Sequence, residues 1–329
     1  MKTWQKILII AVAVTALIIG GSMAYLQYLP RRRLLVSTTT SLYETGLLDE
    51  IEKTFEAKYP VDIQFVAVGT GIAIQQAKNG DVDAILVHAP SQEKTFLQEG
   101  YGVSRKIMAY NFFTIVGPQN DPAGISGLSA TEALKKVADY GRSQTAKVWV
   151  SRGDNSGTHS KEQSLWKASD FNYSVISTEQ WYASAGSGMG ETLLKAEQFS
   201  AYTLSDIGTY LKYYEKDHLI TLNSFIAEKQ ELLNVYSAIA ANQTMHKHTN
   251  FDDAISFIKF LVSDECQELV ESFGENYYGQ SGRLFHGAVQ LLKHNPAEQI
   301  AQWITSYAYI DGSECPQQYR DSRHPELYS

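Results

Sequence analysis

Three short segments bring together the residue types that could do chemistry: Ser37-Thr38-Thr39-Thr40-Ser41, Gly69-Thr70-Gly71 and Ser151-Arg152-Gly153-Asp154-Asn155-Ser156-Gly157-Thr158. Each follows an apolar run that reads as a strand and precedes residues at helical spacing, so each is a strand-to-helix turn. At such a turn the first main-chain N–H groups of the helix have no internal partner, and the helix dipole adds partial positive charge. Hydroxyls from Thr39, Ser41, Thr70, Ser156 and Thr158 add further donors. The chemistry this suits is the holding of an oxyanion. Arg152 supplies a fixed positive charge that can offer two parallel donors to one oxyanion. Serine and threonine cap helices in all kinds of proteins. Three such turns, one with an arginine, point past capping to a bound anion.

Other constellations are weaker. Ser156, Asp154 and His159 are the types of a hydrolase triad, but they fall within six consecutive residues, whereas a triad converges from separate elements. Gly186, Gly188 and Gly190 match neither a dinucleotide fingerprint nor a phosphate loop, and read as a flexible turn at a helix start. His246 and His248 lack accompanying carboxylates or cysteines and read as a solvated loop, so no metal site is expected. Cys266 and Cys315 are too few for a tetrahedral zinc site; one bridge or two free thiols are both compatible with the sequence.

The elements that must position these turns alternate. Leu34-Leu35-Val36, Val61–Val68, Ala84–Val87, Asn111–Val116 and Lys147–Val150 read as strands. Leu47, Leu48, Ile51 and Phe55 recur at helical spacing, as do residues within 72–78, 131–140 and 161–168. This predicts an α/β fold with mostly parallel sheets flanked by helices, whose ligand-binding turns converge at the carboxyl ends of the strands. A chain of 329 residues exceeds what one core usually serves, so two lobes are expected. Gly117-Pro118 and Asp121-Pro122 mark the exit from the first lobe. The division read from the sequence is residues 34–116 plus 215–300 for the first lobe, 117–214 for the second, and 301–329 as a C-terminal extension.

Taken in order, Thr38-Thr39-Thr40-Ser41, Val68-Gly69-Thr70-Gly71, Val87-His88-Ala89-Pro90, Ser151 to His159, Gly186-Ser187-Gly188-Met189-Gly190 and Ala201-Tyr202-Thr203-Leu204 resemble the tungstate-binding proteins of ABC transporters. The resemblance spans roughly residues 34–285. It implies a two-lobed periplasmic-binding-protein fold that closes on the oxyanion in its cleft, and delivery to an ABC permease with its ATPase. It implies ligand contacts from Thr39, Thr40, Ser41, Thr70, Gly71, Arg152, Ser156, Gly157 and Thr158. Phosphate binders, a resembling family, carry an acid after the strand equivalent to Ala84–Val87; here that position is His88. A fully deprotonated tungstate or molybdate would be repelled by a carboxylate, whereas His88 can donate or stay neutral. The bland alternative is that His88 packs at a strand end and touches nothing. The same module tuned to molybdate, phosphate or sulfate, or an anchored oxyanion sensor, are the alternatives. No cofactor is expected beyond the carried anion. The chain departs from the family by running about fifty residues past Tyr277-Tyr278-Gly279-Gln280.

Lys2 and Lys6 precede an apolar run from Ile7 to Ile19, which reads as a secretory signal over residues 1–30 or as a retained membrane anchor. Either places the body outside the cytoplasm, in a periplasm or on the outer face of the cell membrane, as a monomer. The formal net charge of −8 argues against nucleic acid as a partner, which needs a basic face. Asp83, five residues before His88, is expected to face the helix layer rather than the ligand.

Overall fold

The computed structural model describes residues 31–217, 219–226, 228–275 and 283–328. The segment 1–30 and the Tyr277–Gln280 run lie outside the described residues. Ten strands are described: β1 Arg32–Thr39, β2 Val61–Val68, β3 Ala84–Val87, β4 Gly102–Gly117, β5 Trp149–Ser151, β6 Tyr182–Ser184, β7 Thr203–Asp206, β8 Asn223–Ile226, β9 Leu233–Ala241 and β10 His286–Gly287. In the first group the order is β10-β4-β9-β3-β1-β2. β1 lies parallel to both β2 and β3, while β9 is antiparallel to β3 and β4. In the second group β7 and β8 pair antiparallel with the end of β4, β5 pairs parallel with β6, and Trp149 bridges Tyr202 just before β7.

The architecture is the expected α/β arrangement, with one correction: the sheets are mixed rather than mostly parallel. The reason is β4. It begins at Gly102, not at Asn111, and runs for 16 residues because nearly every position from Ser104 onward is buried and the Gly-Pro break comes only after it. Its first part pairs with β9 as far as Phe112↔Leu233, and its last part, from Phe113, pairs with β7 and β8. β4 carries the chain from one group of strands to the other, and Leu233 at the start of β9 marks the return. β8 therefore pairs with the second group, although the sequence division placed residues 215–300 with the first.

The larger core centres on the first group and reaches into the second, taking in Val150, Met189 and Leu193. Leu34, Val36, Leu86, Ile51, Phe55 and Phe257 pack around β1 and β3. Trp149, Trp166, Trp181, Tyr202, Leu134 and Val137 form the second. Within that second core, Glu162 on the helix Gly157–Ala168 is a buried carboxylate that accepts from Trp149 Nε1 (2.8 Å), Trp166 Nε1 (3.1 Å), Ser151 Oγ (2.7 Å) and Tyr182 Oη. It ties that helix to β5, the two elements that flank the Arg152 turn. Glu162→Ala would leave four buried donors without their acceptor. Each unmet buried group costs on the order of 1–3 kcal/mol, so we expect at least about 3 kcal/mol of lost stability, measured by urea unfolding. A loss below about 1 kcal/mol would mean that the carboxylate is not the brace.

The C-terminal segment wraps back on the body. The helices Ala288–His294 and Gln299–Ala308 cover Ile107, Tyr110, Phe112 and Val235 of β4 and β9. Further on, the Glu314 carbonyl accepts from Arg105 Nη1 (2.6 Å), beside the fully buried Arg105–Glu93 ion pair. Cys266 and Cys315 are buried free thiols, and burial pushes the Cys266 thiol up to about 12, so it is inert at neutral pH. His246 and His248 lie in the expected loop, His248 exposed and His246 half-buried, and the loop is tied down. Their Nε2 atoms contact the carbonyls of Lys78 (2.7 Å) and Gly80 (2.9 Å) at the end of the helix Thr70–Asn79.

Candidate functional site

The three turns meet. Thr39 caps the helix Thr40–Glu44, its Oγ1 accepting from Leu42 N at 3.3 Å and lying 3.3 Å from Ser41 Oγ. From the other group of strands, Arg152 Nη2 donates to Thr40 Oγ1 at 2.8 Å, joining the first turn to the third. A Cβ built on Gly69 would lie 3.4 Å from the Asp154 carbonyl, and one on Gly71 would lie 3.6 Å from that of Asn155, so the second turn abuts the third. Ser156 caps the helix Gly157–Ala168 by accepting from His159 N (3.2 Å). His88 reaches the same point: a Cβ on Gly157 would fall 2.7 Å from His88 Nε2. His88 thus does more than end a strand: it packs against the start of the helix Gly157–Ala168.

What marks the junction chemically is a set of buried polar atoms with no hydrogen-bond partner: Arg152 Nη1, Thr70 Oγ1, Thr158 Oγ1 and His88 Nε2, with Glu44 Oε2 beside them. Buried polar groups are nearly always paired, so such a cluster signals a partner outside the chain. The hydroxyls of Thr39 and Ser156 accept from helix N–H groups at the same junction. Arg152, 1% exposed, spends its Nε and Nη2 on Asp154 Oδ2 (3.0 and 2.8 Å). Asp154 in turn accepts from Ser156 N (3.1 Å), fixing the turn. The arginine thus offers Nη1 to the junction, with its Nε–Nη2 edge held by Asp154. The triad types do not engage as a triad, because His159 Nδ1 accepts from Asn155 N (2.9 Å) and Ser156 Oγ meets only the His159 main chain.

Two acids at this junction, the half-buried Glu44 and the buried Asp206, were not legible in the sequence. Glu44 closes the helix Thr40–Glu44, and a Cβ on Gly188, at the start of the helix Met189–Phe199, would lie 3.4 Å from its Oε1. Burial, then Asp206, raises the Glu44 carboxyl above its ordinary range. Asp206 accepts from Thr209 N (2.9 Å) and Thr209 Oγ1 (2.8 Å), and burial raises it as well. The glycine-rich Gly186–Gly190 segment is thus capped by an internal carboxylate. Asp83 faces away, accepting from Leu35 N (2.8 Å) and Asn250 N (2.6 Å). Lys161, also buried, donates to the Leu233 carbonyl (3.0 Å) under the Tyr307 ring of the C-terminal helix, and burial pushes its ammonium down to about 8. Among the described residues no group of three or more His, Cys, Asp or Glu could hold a metal ion.

Two groups of strands joined by the long strand β4, with helix N-termini from both turned on one junction, define a solute-binding protein of the periplasmic type. The profile of the PBP superfamily domain matches residues 27–265. A Haloferax volcanii protein described as an ABC transporter anion-binding protein is 41% identical over 286 residues, covering 86% of this chain and 78% of that one. The tungstate-binding protein TupA of Peptoclostridium acidaminophilum is 35% identical over 249 residues, covering 75% and 83%. Among solved structures, the tungstate-binding protein TupA of Desulfovibrio alaskensis shares 37% identity with a TM-score of 0.65, covering 78% of this chain and 98% of that one. The chain belongs to the PBP superfamily, among relatives that serve as binding proteins.

Proposed function

We propose that this protein captures tungstate outside the cytoplasm and delivers it to an ABC permease with its ATPase, without covalent chemistry. The observation that carries the reading is the cluster of unpartnered buried donors, Arg152 Nη1, Thr70 Oγ1 and Thr158 Oγ1, where three turns from two groups of strands meet. The names of the relatives support tungstate as the anion and an ABC transporter as the destination. Ligand contacts are assigned to Thr39, Thr40, Ser41, Thr70, Gly71, His88, Arg152, Ser156, Gly157 and Thr158. Main-chain N–H groups at the helix starts complete the shell, and closure strengthens each bond by excluding water. Molybdate is the second reading, since its size and charge are nearly those of tungstate.

The test is calorimetric titration of the full-length chain with tungstate, molybdate, sulfate and phosphate. Tungstate is expected to bind at least about tenfold more tightly than sulfate or phosphate, a difference of about 1.4 kcal/mol. Tightest binding of phosphate or sulfate would overturn the assignment. N-terminal sequencing of the exported protein separates a cleaved signal from a retained anchor.

A further inference from the structure

The hydrogen-bond chain behind His88 starts from an atom whose role is fixed. The main-chain carbonyl of Leu284 can only accept, so Asn111 directs its Nδ2 toward it (3.1 Å). That leaves Asn111 Oδ1 to accept from Asn234 Nδ2 (2.8 Å), which also donates to Tyr236 Oη (2.9 Å). Asn234 Oδ1 then faces His88 Nδ1 at 2.7 Å, and only a proton on Nδ1 makes that contact a hydrogen bond. A neutral imidazole carries one ring proton, so Nε2 holds a bare lone pair. Turning Asn111 over would set oxygen against oxygen at Leu284, and turning Asn234 over would do so at Asn111 Oδ1, so the backbone dictates the tautomer. The ring cannot swing away, because it stacks on Tyr236 (centroids 5.0 Å apart) and Phe113 (5.9 Å).

Nε2 is buried, unpartnered and set against Gly157 at the start of the helix that carries Thr158. An acceptor thus stands beside the donors Arg152 Nη1, Thr70 Oγ1 and Thr158 Oγ1. An oxyanion that keeps a hydrogen could bring the missing proton itself; a fully deprotonated one presents only lone pairs to this nitrogen.

We propose that His88 takes up one proton on Nε2 when a fully deprotonated tetrahedral oxyanion enters the site, so that the imidazolium donates to the bound anion. This rests on the oxyanion reading above. The proton comes from solvent, the anion keeps its charge, and no covalent bond changes. Burial is the largest influence on the ring and pushes its ionisation down to about 4. The Asn234 bond raises it, the cations of Arg152 and Lys161 lower it, and the carboxylate of Asp154 raises it. Two negative charges placed beside Nε2 turn this balance toward the protonated ring.

The test is titration of the full-length chain with sodium tungstate near pH 7, in buffers of different ionisation enthalpy. About one proton taken up per anion is expected. In protein carrying 15N-labelled histidine, the Nε2 resonance of His88 should move on tungstate addition from the unprotonated to the protonated range. His88→Asn should bind tungstate about tenfold or more weakly, with no buffer dependence. Heat of binding without proton uptake, uptake that persists unchanged in His88→Asn, or an Nε2 that stays bare in the complex would each overturn the proposal. If His88→Asn does not fold, the nitrogen resonance of the unsubstituted protein decides alone. Absence of binding by every oxyanion tried would instead overturn the oxyanion reading itself.

Discussion

Arg152→Ala should reduce tungstate affinity by about a hundredfold or more. Truncating one partner of a buried, hydrogen-bonded charge pair costs on the order of 2–5 kcal/mol, and each 1.4 kcal/mol is about tenfold in affinity. Here the loss is threefold in kind. The unpartnered Nη1 disappears from the junction, as does the 2.8 Å bond from Nη2 to Thr40 that links the first turn to the third. Asp154 loses its counter-charge while still bound to Ser156 N, leaving a carboxylate beside a site meant for an anion. Arg152→Lys keeps the charge but cannot hold Asp154 through two nitrogens and reach the ligand as well, so its affinity should fall between wild type and the alanine variant. Calorimetric titration measures both. A Kd for Arg152→Ala within about threefold of wild type, under 1 kcal/mol, would remove this residue from the binding site.

Gly157→Ala should damage both stability and binding. The new methyl would enter 2.7 Å from His88 Nε2, and neighbouring ring carbons lie nearly as close. The ring is clamped by Asn234 and by its aromatic neighbours, so the helix start has to move instead. Overpacking of this kind costs about 1–3 kcal/mol, and tilting the helix start misdirects its N–H groups and the Thr158 hydroxyl. A fall in affinity of about tenfold or more is expected. Gly71→Ala is the contrast, because its methyl meets the Asn155 carbonyl at 3.6 Å, an ordinary contact, and stability should stay near wild type. Thermal unfolding and tungstate titration of the two variants separate the effects. Equal melting temperature and equal Kd for Gly157→Ala and wild type would mean that His88 does not sit over this helix.

Much of the fold could be read along the chain because its signals are local. Val61–Val68 alternates well enough to read as a strand and Ala84–Val87 is a continuous apolar run, and each is a strand in the structure. The helical spacing within 131–140 falls inside the helix Ala130–Arg142. The length of β4 was not legible. Ser104, Arg105 and Lys106 look like solvent residues in sequence, yet they are buried because Glu93, Glu314 and the C-terminal wrap supply their partners from far along the chain. The mixed sheets follow from the same strand. Whether a neighbour is parallel depends on which distant strand pairs with β4 and β9, and no local pattern carries that.

At the site, the sequence by itself determined which residues carry donors and that three of their turns start helices. Those properties depend only on residue type and on the few neighbours that set a helix N-terminus. It also determined that position 88 holds a group that can be neutral, where an acid would repel a dianion. Tertiary structure alone decided the rest. It brought Thr40 against Arg152, assigned one edge of the guanidinium to Asp154, and placed the half-buried Glu44 and the buried Asp206 nearby. It also fixed the proton on His88, through a relay that runs from the Leu284 carbonyl by way of Asn111 and Asn234. A tautomer is set by the partner of the opposite ring nitrogen, and here that partner is 146 residues away in the chain.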